Sequence, residues 1–127
     1  MLVAKRPDPR RATRSFGHAI RGIFHILRTE QNLQIHVIVA IIVIALSFYL
    51  KIGTLDLVAV LLAIGLVLTA EVINTVIEDL IDLIHPGQHP MVGRIKDALA
   101  GAVLIAAVIA ATVGLLVFLP YLFAAVR

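Results

Sequence analysis

Residues 57–84 read LVAVLLAIGLVLTAEVINTVIEDLIDLI: an uncharged apolar run that meets its first carboxylate at Glu71, then carries Glu78, Asp79 and Asp82 before His85-Pro86-Gly87 breaks it. Beyond Glu71 the residues Val72, Ile73, Val76, Ile77, Leu80, Ile81 and Ile84 keep helical spacing. One helix is therefore expected across the whole stretch, longer than the about 20 residues that cross a hydrocarbon core. At about 100° per residue, Glu71, Asn74, Glu78 and Asp82 form one polar stripe about 80° wide, and Asp79 points away from it. An ionised carboxylate costs about 2.5–3.5 kcal/mol at the centre of a membrane helix and less near the interface. Several of them in one stripe need something that compensates.

The rest of the chain is of the same character. Of 127 residues 61% are hydrophobic and only 15% are charged, with mean hydropathy +1.03. Soluble domains are rarely so apolar, and the expected class is an all-α membrane protein. Leu33 to Leu50, interrupted only by Gln34, His36 and Ser47, supplies a first span, and Lys51, Gly53 and Thr54 form a short turn. Gln88 to Gly93, with Pro90, reads as a loop, and a third helix starts near Arg94, uncharged from Ala98 to Leu119. The spans are thus expected over about 33–50, 55–84 and 95–119. Gly101, Ala106, Ala107, Ala110, Ala111 and Gly114 allow close helix approach and carry no chemistry of their own. The first apolar run reads as a retained helix, because no small-residue cleavage site follows it. The absence of cysteine excludes disulfides, thiolate zinc and cysteine nucleophiles, so any metal must be held by oxygen or imidazole.

Lys5, Arg6, Arg10, Arg11, Arg14, Arg21 and Arg28 hold most of the basic charge. A basic tail over 1–14 leads into an expected surface helix over about 15–29, with Phe16, Ile20, Ile23, Phe24 and Leu27 at helical spacing and Arg14, Arg21 and Arg28 elsewhere around it. Such a segment anchors to a membrane, and nucleic-acid binding does not suit so apolar a chain. The positive-inside rule puts this segment, with Arg94 and Lys96, on the cytoplasmic side. Glu30, the stripe and Lys96-Asp97 then meet at one membrane face.

Two readings of that face stand side by side. Carboxylates of the stripe and Glu30 hold a hard divalent cation suited to magnesium while another acts as base, or the stripe is a polar helix end reaching water. A small transporter that binds protons or cations on its intramembrane carboxylates is a rival from another class. His85 and His89 read as loop residues, since Pro86 and Gly87 separate them. His36 reads as a hydrogen-bonding group toward a neighbouring helix or head group. No Walker sequence and no protein-kinase motif set is present.

Three segments in order, Thr29-Glu30-Gln31-Asn32 with His36, Ala70 to Glu78 with Asp82, and Lys96-Asp97-Ala98-Leu99-Ala100-Gly101-Ala102-Val103-Leu104, resemble the small prokaryotic diacylglycerol kinase family, which includes undecaprenol kinases. The resemblance runs from about Ser15 to Pro120. It implies ATP- and magnesium-dependent phosphorylation of a membrane lipid hydroxyl by a homotrimer in the bacterial cytoplasmic membrane. The site would face the cytoplasm and be shared between subunits. By the same resemblance Glu71 corresponds to the general base and Asn74 to a group that orients the reacting partners. Glu30 and Glu78 correspond to magnesium ligands, and Lys96, Asp97 and Asp82, with Arg11 or Arg14, to nucleotide contacts. Asn32, Gln34 and Ala100 fall where the lipid enters. Ala100 stands where some diacylglycerol kinases carry serine, and the segments around Glu30 and Lys96 look more like the undecaprenol kinase branch, so undecaprenol is favoured over diacylglycerol.

Overall fold

The computed structural model describes residues 9–126; Lys5, Arg6 and the start of the basic tail lie outside them. The described chain is four helices: α1 over Pro9–Thr29, α2 over Gln31–Tyr49, α3 over Thr54–Ile84 and α4 over Pro90–Ala125. Three of these, α2, α3 and α4, are long and apolar enough to cross a membrane, which agrees with the expected class. With a rise of about 1.5 Å per residue, α3 extends about 46 Å, well past a hydrocarbon core of about 30 Å. Its acidic end therefore emerges on one side.

Three boundaries differ from the sequence reading, each for a local reason. α1 begins at Pro9, so Arg10, Arg11 and Arg14 are helical and not part of a tail; proline suits a first helical turn, where its missing N–H has no partner to lose. α4 likewise begins at Pro90 and not near Arg94, with His89 as N-cap: His89 Nδ1 accepts a hydrogen bond from the Met91 amide at 3.1 Å. The loop between α3 and α4 shrinks accordingly. At its other end α4 passes through Pro120 to Ala125. That costs the hydrogen bond to the Leu116 carbonyl, a loss membrane helices tolerate through local adjustment.

The α2–α3 turn is closed by Lys51 at φ 51, a left-handed conformation, with the Ile52 amide donating to the Ser47 carbonyl at 3.2 Å. Just beyond it, the Gly53 amide donates to the Tyr121 hydroxyl at 2.9 Å, and that hydroxyl donates to Asp56 Oδ2 at 2.7 Å. The hydrophobic core gathers at this same end: Val60, Val117 and Phe118 are buried, with Val43, Leu46, Leu50 and Ile52 against them. A polar latch and a small core thus pin the helices together at the turn end.

α2 and α4 do not pack on each other. No Cα of α2 comes within 8 Å of one in α4, and each packs on α3, α4 more extensively. Between them runs an apolar groove of about 330 Å³, floored by Val60, Ala63 and Val67 of α3 and walled by His36, Val39 and Ala40 of α2 and by Ala107, Ala110 and Gly114 of α4. The small residues of α4 keep it open, since a Cβ on Gly114 would meet nothing within 4 Å. The outward surfaces stay apolar, with Ile38, Ile41, Leu62 and Leu104 all exposed. In water that is untenable; in lipid tails it costs nothing.

Candidate active site

The buried stripe of α3 continues from Val60, Ala63 and Val67 to Glu71 and Thr75, so the helix presents two polar side chains where apolar ones precede. Glu71 is 4% exposed. Its Oε1 lies 3.1 Å from His36 Nε2 on α2, which is the contact that offsets burial of the carboxylate. Its other oxygen has no described partner. Only Asn74 Oδ1 is both fully enclosed and unpartnered among the described side chains, so Glu71 Oε2 keeps contact with the surroundings. His36 in turn lines the apolar groove. The buried carboxylate and the groove share this one imidazole.

A second level lies two turns further out. Glu78 follows Glu71 by seven residues along α3 and Glu30 precedes His36 by six along α2, so both sit about 10 Å from the His36–Glu71 pair in the same direction. Asn74 Nδ2 donates to Glu78 Oε1 at 3.1 Å, which leaves the Asn74 carbonyl oxygen as the enclosed orphan. Glu30 occupies the single non-helical position between α1 and α2, at φ −104 and ψ 112, and is half-buried. Gln34 holds that elbow: its Nε2 donates to the Leu27 carbonyl at 3.1 Å and the Arg28 carbonyl at 3.4 Å, satisfying the end of α1. Gln34, expected at the lipid entrance, is engaged here in fixing the chain direction.

At the third level Lys96 Nζ bonds Asp82 Oδ1 at 2.6 Å, tying α4 to α3. The two side chains line an open hollow of about 660 Å³ of mixed polar and apolar character, formed with Pro86, Gly87, Gln88, His89, Val92 and Gly93. That size is within the range of small-molecule sites. Asp97 is exposed and does not line it, and Asn32 and Ala100 are exposed and line neither hollow. Arg11 and Arg14 are exposed on α1 and pair with no described carboxylate. Asp79 is exposed, off the stripe.

Among the described residues no three metal-binding side chains converge. Magnesium does not need them, since it retains waters and takes one or two carboxylates plus substrate phosphates. Glu78 with the orphaned Asn74 oxygen offers hard oxygen donors of the right kind. The residue that sequence reasoning left out of the site is His36. His36 lies in the segment that carries the family resemblance and reads as a hydrogen-bonding group toward a neighbouring helix or head group; only the facing of α2 on α3 brings it to Glu71.

Comparison with known proteins adds an independent line. The pattern of the family described as Prokaryotic diacylglycerol kinase matches residues 17–118. The chain is 41% identical over 117 residues to the undecaprenol kinase of Bacillus subtilis (strain 168), covering 92% of this chain and 95% of that one. It is 33% identical over 107 residues to a diacylglycerol kinase of Synechocystis sp., covering 84% of this chain and 61% of the relative. Against the diacylglycerol kinase of Escherichia coli (strain K12) it is 25% identical over 100 residues, 79% of this chain and 82% of the other. With three membrane-length helices and a carboxylate stripe at one end of them, the chain belongs to the prokaryotic diacylglycerol kinase family of membrane lipid kinases.

Proposed function

We propose that this protein transfers the γ-phosphoryl group of ATP, with magnesium, to the terminal hydroxyl of a long isoprenoid alcohol, undecaprenol in preference to diacylglycerol, at the cytoplasmic face of the bacterial inner membrane. The observation that carries the reading is the buried Glu71 carboxylate, held by His36 beside an apolar groove. A lone carboxylate in that position suits removal of a proton from a hydroxyl whose tail lies in lipid. The preference for undecaprenol rests on the 41% identity with the Bacillus subtilis enzyme over nearly the full length of both chains. Diacylglycerol is the second reading, favoured by the names of the less similar relatives.

In this reading the lipid hydroxyl meets Glu71, which takes its proton as the oxygen attacks the γ-phosphorus and ADP leaves. Asn74 orients the reacting groups. Glu30 and Glu78 would hold magnesium, which supplies countercharge to the phosphates. Lys96 and Asp82, at the open hollow beside the start of α4, receive the nucleotide, with Asp97 and Arg11 or Arg14 as further contacts. Asn32 and Ala100, both exposed, and Gln34, engaged at the elbow, are assigned to the lipid entrance by this reading alone. Phosphoryl transfer asks for little covalent help beyond such positioning and charge. Assembly as a homotrimer with sites completed between subunits belongs to this reading as what the family resemblance implies. α1, with Phe16, Ile20, Ile23 and Phe24 exposed on one side, suits a position on the membrane surface.

The test is transfer of labelled phosphate from ATP to undecaprenol or to diacylglycerol in mixed micelles, with the Glu71→Gln variant alongside. Preferential labelling of undecaprenol is expected. Preferential labelling of diacylglycerol would move the substrate to the second reading, and labelling of neither by folded protein would remove the kinase reading.

A further inference from the structure

We infer that His36 is the positioning residue of the reaction: its Nε2 lies in ion-pair contact with Glu71 Oε1 at 3.1 Å, and a small turn of the ring directs Nε2–H onto that oxygen, fixing the carboxylate so that Oε2 is the oxygen that meets the lipid hydroxyl. The inference deepens the function proposed above and rests on Glu71 acting as base.

The geometry that carries it is specific. Glu71 is buried on a helix whose preceding inward residues, Val60, Ala63 and Val67, are all apolar, so nothing on α3 one or two turns earlier can hold its carboxylate. The 3.1 Å contact from α2 is its one described polar partner. A carboxylate with both oxygens fixed is a poor proton acceptor, and one with neither fixed rotates away. Here one oxygen is held and the other is left without a partner yet not sealed in. His36 itself is only partly covered, with 28% of its side chain exposed, and its ring forms part of the groove wall. A chain-like alcohol lying in the groove would bring its polar end past this imidazole before reaching Glu71.

The direction of the hydrogen bond is part of the inference. If Glu71 is the acceptor, it is ionised and ready to take a proton. If Nε2 were bare and Glu71 the donor, the carboxyl would already hold the proton it is meant to accept. The two arrangements share heavy-atom positions and differ only in where one hydrogen sits. Whether the imidazole is neutral or cationic, the inference requires a hydrogen on Nε2.

Two measurements on the full-length protein in lipid micelles test it. Nitrogen-15 NMR of histidine-labelled protein, with the His36 signal assigned by its loss in His36→Gln, should show a protonated Nε2 whose shift changes in Glu71→Gln. A bare Nε2 would overturn the inference, and this readout does not depend on any lipid being phosphorylated. Steady-state kinetics with ATP and the lipid alcohol should show that His36→Leu lowers kcat by at least about tenfold, with KM for ATP changed less than about twofold. His36→Gln, whose amide nitrogen is the same number of bonds from Cβ and also donates, should recover most of that loss. Unchanged kcat in His36→Leu, a glutamine variant no better than leucine in folded protein, or a rise confined to KM for the lipid would each overturn it. Absence of phosphate transfer by the wild-type protein would instead strike at the proposed function, and the NMR result would still decide the hydrogen-bond direction.

Discussion

Lys96 Nζ lies 2.6 Å from Asp82 Oδ1, so the start of α4 is tied to the acidic end of α3 by a charge-assisted bond in the lining of the open hollow. Both side chains are partly solvent-exposed, and pairs of that kind add little to stability. Lys96→Ala is expected to raise KM for ATP at least about tenfold by removing countercharge from the phosphates, while the thermal unfolding midpoint in detergent hardly moves. Asp82→Asn frees the ammonium from its partner, so its effect on nucleotide affinity should be smaller than that of Lys96→Ala. Isothermal titration with a non-hydrolysable ATP analogue measures both, and equal affinity in wild type and Lys96→Ala would argue against the cavity as the nucleotide site.

Glu71→Gln keeps the shape of the side chain and removes its ability to take a proton. Loss of a general base costs about 10²- to 10⁴-fold, so kcat should fall by at least about a hundredfold with KM for ATP little changed. Near-normal turnover would remove Glu71 from the role of base.

Gly114→Leu places a branched side chain on the α4 wall of the groove, where a Cβ meets open space. Folding should survive. Transfer to a long isoprenoid alcohol should drop several-fold through KM for the lipid, and KM for ATP should be unaffected; steady-state kinetics at fixed ATP and varied lipid tests this. An unchanged KM for the lipid would mean that its tail lies elsewhere.

Tyr121→Phe breaks the latch at the opposite end. The Gly53 amide and Asp56 both lose their shared partner, and a hydrogen bond of this kind is worth about 0.5–1.5 kcal/mol, rising when a partly buried group is left unpaired. The unfolding midpoint in detergent should fall by a few degrees, with kcat at low temperature near that of the wild type. A stable variant with impaired turnover would show instead that the turn end communicates with the acidic end.

What could be read from the chain alone follows from the period of its pattern. A long apolar run with Glu71, Asn74, Glu78 and Asp82 at helical spacing is sufficient for a spanning helix with a polar stripe, because helix geometry alone sets which residues share a face. Helix ends were less legible. Pro90 reads as a loop residue from sequence but opens α4, and the His89 cap that decides it is a single hydrogen bond. The third span is expected to end at Leu119, yet α4 continues through Pro120 to Ala125. Contacts between helices were the least legible of all: the pairing of His36 with Glu71 spans 35 positions and that of Tyr121 with Asp56 spans 65, and nothing in local spacing encodes either. Gln34 shows the same limit on a smaller scale, since its role at the elbow depends on the angle at which α1 meets α2.

The groove between α2 and α4 is lined by apolar side chains of three helices long enough to cross a membrane, so on the proposed function its occupant comes from the lipid and not from water. A substrate that enters this way never leaves the bilayer, so its encounters are a two-dimensional search whose frequency follows its mole fraction among neighbouring lipids. Diluting the protein in buffer then changes nothing, and adding inert lipid slows the reaction. On the proposed function the meaningful Michaelis constant for the alcohol would be a surface density, while that for ATP reaching the hollow beside Lys96 from solution would be an ordinary molarity, two scales of concentration at levels about 16 Å apart along α3.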